Sequence, residues 1–89
     1  MQINKDFTIQ KVGGSSYVAV PVGKTSIHFH AMVRLNETGA FLWKLMAEKD
    51  CTEADLVDAI LETYEIDRET AEKDVRAIVE MLREHNIFA

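Results

Sequence analysis

The chain predicts an α+β fold, with three strands in an antiparallel sheet followed by three helices, on two observations. Its hydrophobic period is two from Phe7 to about Arg34 and turns helical after Asn36. Each change of direction is marked by a punctuating residue. Gly13-Gly14-Ser15, Pro21 and Gly23 divide the strands, and Asn36, Thr52 and Asp67 stand where helices should begin.

The first strand is Phe7 to Val12, which alternates apolar and polar residues and stops at the flexible Gly13-Gly14-Ser15. Ser16-Tyr17-Val18-Ala19-Val20 resumes with strand-favouring residues, so the two runs form a hairpin. Pro21 lacks an amide donor and Gly23 admits turn conformations, so the run breaks there. A third strand follows, with Ile27, Phe29, Ala31 and Val33 on one face and Ser26, His28, His30, Met32 and Arg34 on the other.

Asn36 is suited to cap the first helix, because its side-chain oxygen can take an amide proton that the helix leaves unpaired. Glu37 favours the positive end of the helix dipole, and Phe41, Leu42, Leu45 and Met46 form the expected apolar stripe. Gly39 costs about 0.5–1 kcal/mol of helix propensity relative to alanine, which is tolerable if another group must pass close to its backbone. Thr52 with Asp55 is a short-armed capping box opening a second helix, whose buried side is Leu56, Val57, Ile60, Leu61 and Tyr64. After Glu65-Ile66, Asp67 caps a third helix through about Glu84, with Ala71, Val75, Ile78, Val79 and Leu82 on one face. Asn86 is a stop signal, and Ile87-Phe88 should fold back on the core.

A length of 89 residues suits a single domain, 1–89, that buries only about 60–65% of its unfolded surface. The 47% hydrophobic content and single proline suit an ordered chain. A net charge of −5 argues against nucleic-acid or anionic-membrane partners, whose affinity comes from lysine and arginine on phosphate. Lone Cys51 has no internal disulfide partner, and neither an export signal nor an apolar run near the roughly 20 residues of a membrane span is present, so a cytoplasmic protein is expected.

No nucleophile elbow, phosphate loop or metal cluster can be assembled, so neither catalysis nor a cofactor is expected. His28 and His30 point the same way on a strand, yet two ligands fall short of the three or four that zinc takes from protein, and a half-exposed strand face explains them. Cys51 reads as a small loop residue and Trp43 as a packing residue. Three helices plus a small sheet are also the parts of a winged helix-turn-helix, which leaves a DNA-binding regulator as one alternative. Against it, Asp67 to Glu84 carries six acids and four bases. A second alternative uses the sheet edge for protein–protein contact without a peptide, and both monomer and dimer stay open.

The run Val33-Arg34-Leu35-Asn36-Glu37-Thr38-Gly39-Ala40-Phe41-Leu42-Trp43 passes from strand through cap to amphipathic helix. Together with Thr52-Glu53-Ala54-Asp55-Leu56, Tyr64, and Ala71 with Asp74-Val75, it resembles the PqqD-like family over nearly the whole chain. These are small domains of pyrroloquinoline quinone biosynthesis and, more widely, recognition elements of ribosomally made, modified peptides. The resemblance implies binding of a precursor's leader peptide and its presentation to a modifying enzyme, often a radical S-adenosylmethionine maturase. The iron–sulfur cluster and S-adenosylmethionine would belong to that enzyme.

By the same resemblance the leader lies as an added strand against the third strand, in a groove completed by the third helix. Carried over by position, the strand side is Ser26, Ile27, His28, Phe29, His30, Ala31 and Met32, and the helix side includes Asp74, Val75, Ala77, Ile78 and Met81. At 100° per residue, Ala77, Met81, Thr70 and Asp74 flank the core stripe on one side. Glu72, Arg76 and Arg83 flank it on the other, and the sequence leaves open which flank faces the groove. The acidic balance favours a leader with basic residues, whereas a local Arg34 or Arg76 patch would select acids instead.

Overall fold

The computed structural model describes residues 1–22 and 33–89. Within them, β1 (Phe7–Gly13), β2 (Ser16–Pro21) and β3 (Val33–Leu35) form an antiparallel sheet of order β1-β2-β3. The helices α1 (Glu37–Glu48), α2 (Glu53–Thr63) and α3 (Arg68–Glu84) follow, giving the expected α+β, winged-helix-like arrangement.

The hairpin register pairs Phe7 with Pro21, Ile9 with Ala19 and Lys11 with Tyr17, and then slips between Lys11 and Gly13. That bulge adds one residue to β1 and leaves Val12 56% exposed, which simple alternation does not foresee. Gly13 (φ 142°) and Gly14 (φ 48°) lie in backbone regions that side chains disfavour, which is why the turn falls on this pair. In β3, Val33 and Leu35 are buried and Arg34 is exposed. They pair with Ala19, Tyr17 and Val18 respectively. The expected strand side from Ser26 to Met32 lies outside the described residues.

All three helix starts carry the expected caps. Gly39 N donates to Asn36 Oδ1 at 2.8 Å, and Thr70 N donates to Asp67 Oδ1 at 2.8 Å. Thr52 and Asp55 form a reciprocal box, with Asp55 N to Thr52 Oγ1 at 3.1 Å and Thr52 N to Asp55 Oδ2 at 3.0 Å. The end of α3 is a Schellman turn. Asn86 takes a left-handed φ of 56°, its N–H donates to Arg83 O, and Ile87 N donates to Leu82 O.

The core joins sheet, helices and both terminal segments. Leu42, Met46, Leu56, Ile60, Val75, Val79, Leu82 and Ile87 are fully buried. Each large side chain removed from water contributes about 1.5–3 kcal/mol before the entropy of ordering is subtracted. The buried stripe of α1 is Gly39, Ala40, Leu42, Trp43 and Met46, with Phe41 and Leu45 only partly covered. The stripe is therefore turned from the expected Phe41–Leu45 line because Trp43, at 3% exposure, sits inside the core. Phe41 instead packs edge-on against Tyr64, with centroids 5.7 Å apart at 88°.

The first residues are bound into this core. Ile3 N donates to Met46 O, Asn4 N to Ile87 O, and Ala89 N to Gln2 O, with an Ile3–Phe88 bridge between the two terminal segments.

Candidate functional site

A strand at a sheet margin offers backbone donors and acceptors on its outer side. β3 holds that position, and among the described residues its strand partner is β2. The chain leaves β3 at Leu35 and enters α1 at Glu37, so the end of the margin runs directly into the first turn of α1.

There α3 comes close. A Cβ on Gly39 would lie 3.0 Å from Ile78 Cδ1, 3.2 Å from Leu35 Cδ2 and 3.3 Å from Asn36 Oδ1. Leu35 of β3 and Ile78 of α3 therefore converge on the bare backbone of α1, as the glycine's cost in helix propensity implied. Beside this junction is a depression of about 120 Å³ lined by Asn36, Thr38, Asp74, Ala77 and Ile78. Ala77 and Ile78 supply apolar surface, and Thr38 and Asp74 supply oxygen acceptors. Asn36 Oδ1 is already engaged by Gly39 N.

Three of the helix-side candidates, Asp74, Ala77 and Ile78, thus meet at one place. Met81 is the next partly buried residue along the same face, and its carbonyl lies 2.8 Å from His85 Nδ1. Val75 is fully buried and is placed on the opposite flank, at the floor of a hollow of about 330 Å³ between α2 and α3. Glu53, Glu72, Arg68 and Arg76 surround that hollow, and Arg68 pairs with Asp58 at 3.7 Å. It is the larger of the two, but the smaller one adjoins the sheet margin. The two flanks of α3 thus differ in surroundings: Asp74, Ala77 and Ile78 lie with Asn36 and Thr38 just past the end of β3, while Glu72 and Arg76 face α2.

Asn36 and Thr38 belong to the lining too; in the sequence the first stands out as a helix cap and the second only as part of the run that carries the family resemblance. The only available signal was their place immediately after the third strand. The Asp74 side chain forms no ion pair or hydrogen bond with another described residue, whereas neighbouring Lys73 pairs with Glu69 at 3.5 Å.

The other chemically suggestive groups lie elsewhere. Cys51 is buried with its Sγ 3.5 Å from Lys49 O, and desolvation by burial raises its thiol pKa above the ordinary value. Among the described residues no cluster of three or more histidine, cysteine or acidic side chains could hold a metal, and His28 and His30 lie outside them. No described helix is long and apolar enough to cross a membrane. The exposed surface of α3 includes all six of its acids, from the Asp67 cap to Glu84, a poor match for phosphate.

Residues 17–87, from β2 through the Schellman turn, match the sequence model of the family described as coenzyme PQQ synthesis protein D (PqqD). The chain belongs to the PqqD family. Two solved structures share this PqqD fold. One, TbiB1 in complex with the TbiA(beta) leader peptide, superposes with a TM-score of 0.71 at 24% identity, covering 98% of this chain and 93% of that one. The other, lasso peptide synthetase B1 complexed with the leader peptide, has a TM-score of 0.65 at 22% identity, covering 93% and 89%. At these identities the likeness describes the fold. No curated protein matches the chain significantly.

Proposed function

We propose that this PqqD-family chain is a non-catalytic recognition domain. It holds the leader of a ribosomally made precursor peptide as an added strand along β3 and presents it to a modifying enzyme. The observation that carries this reading is the meeting of a sheet margin with an apolar-and-acidic depression on the adjoining flank of α3. Strand addition draws affinity from main-chain hydrogen bonds and selectivity from pockets for alternate side chains, and the two features supply one of each. Both structural relatives carry a leader peptide, which supports the same use of the shared fold.

On this reading the peptide contacts the segment from Ser26 to Met32 on one side and Asp74, Ala77, Ile78 and Met81 on the other. Val75 supports the helix from within the core. The partner enzyme is a radical S-adenosylmethionine maturase or another peptide-modifying enzyme, which brings its own cofactors, and the work is done in the cytoplasm.

The test is a titration of isotope-labelled protein with a leader peptide encoded beside its gene. Amide shifts should move in β3, in the first turn of α1 and on the Asp74–Met81 stretch of α3. Shifts spread evenly, or confined to the α2–α3 hollow, would overturn the assignment.

A further inference from the structure

We propose that Asp74 reads a basic side chain of the bound peptide, whose aliphatic stem lies over Ala77 and Ile78 while its cationic head meets the Asp74 carboxylate and the Thr38 hydroxyl. This deepens the peptide-binding reading above and rests on it. The depression has the two-part chemistry that a lysine or arginine presents, because such side chains lay an apolar stem on apolar surface and keep the charged end at a polar rim. A purely aliphatic occupant would use Ala77 and Ile78 but leave the carboxylate without a role.

The sign of the charge follows from placement. Arg76 lines the hollow against α2 rather than this depression. Arg34 is exposed on the β3 face opposite buried Val33 and Leu35. Neither basic residue lines the site, and among the described residues Asp74 is the ionisable group that does. Among the described residues its carboxylate has no counter-charge to displace, so a peptide cation would gain its attraction without breaking a pair within them.

One effect opposes this. The amino end of α1 borders the depression, and a helix dipole places about half a positive charge there. Asn36 already caps Gly39 N, and Glu37 adds a carboxylate to the same turn. The full charge of Asp74 therefore exceeds what remains of the dipole, and the chain's net charge of −5 acts in the same direction.

The experiment uses the full chain to select from a random peptide-display library, followed by anisotropy titration of an enriched synthetic peptide. Enriched peptides should share a lysine or arginine at one position. Replacing it with norleucine, which keeps the stem and removes the charge, should weaken binding about three- to fivefold, as for an exposed ion pair. Asp74→Asn should cause a similar loss with the basic peptide and little further loss with the norleucine peptide, the signature of a direct pair. Asp74→Lys should move the selected residue to glutamate or aspartate. If peptides are enriched without a basic position, or bind Asp74→Asn as well as the parent, the Asp74 assignment is wrong while peptide binding stands. If no peptide is enriched over a protein-free control, the recognition-domain reading fails, and this inference fails with it.

Discussion

Gly39 shows how one missing side chain can join three elements. Its backbone is approached by Leu35 from β3 and Ile78 from α3, both through methyl groups at the ends of branched chains. Alanine would recover about 1 kcal/mol of helix propensity, but its Cβ would need those methyl groups to move by a few tenths of an ångström. Ile78 is only partly buried and borders the depression, so it can give way. Gly39→Ala should therefore change stability by no more than about 1 kcal/mol. Gly39→Val, with two more methyl groups in the same space, should lose about 2–3 kcal/mol by overpacking. Urea denaturation of the two variants distinguishes this close approach from a simple helix-propensity effect, under which both substitutions would stabilise.

At the scale of elements, the helix caps tie stability to acidity. Asp55 is held below its ordinary carboxyl pKa of 3.8 by hydrogen bonds with the Thr52 backbone and side chain. Asp67 is lowered from the same value by the side-chain hydrogen bond with Thr70 and by its bond from the Thr70 backbone. The folded chain thus binds these protons more weakly than the unfolded chain does. The caps contribute fully above the unfolded value and lose that contribution as pH falls through the lowered folded one. The urea midpoint should decline on acidification below about pH 4, and the decline should be shallower in an Asp55→Asn/Asp67→Asn variant, which keeps oxygen acceptors but cannot titrate. The same caps explain why so much of the architecture could be read from the chain. Asn36, Thr52 and Asp67 act on amides only three residues away, so their role is local and visible in sequence. Trp43 and Val12 were less legible, since one turns the buried stripe of α1 by tertiary packing and the other is displaced by a bulge. The candidate site was least legible. Thr38 and Asp74 are far apart in sequence and meet only because α3 packs over Gly39.

At the scale of the whole molecule, the two terminal segments close one end of the core. Ile3 is 4% exposed and Ile87 is fully buried, with backbone bonds linking their neighbours to each other and to the end of α1. Ile87→Ala should lose about 2–5 kcal/mol, because it empties a packed site that two polypeptide segments jointly enclose. The loss should appear as a lower midpoint of one cooperative urea transition, with secondary structure and Trp43 fluorescence changing together. Separate transitions for the two signals would show instead that this end unfolds independently. The Ile3–Phe88 bridge also makes the molecule nearly circular. Its ends meet beside Ala47, at the opposite end of α1 from Thr38 and about 14 Å along the helix axis. A short linker from Ala89 back to Met1 would then permit permuted versions of this 89-residue unit opened at the exposed Gly14–Ser15 tip, and a host protein could carry it inside a surface loop with the Asp74 side of α3 turned outward.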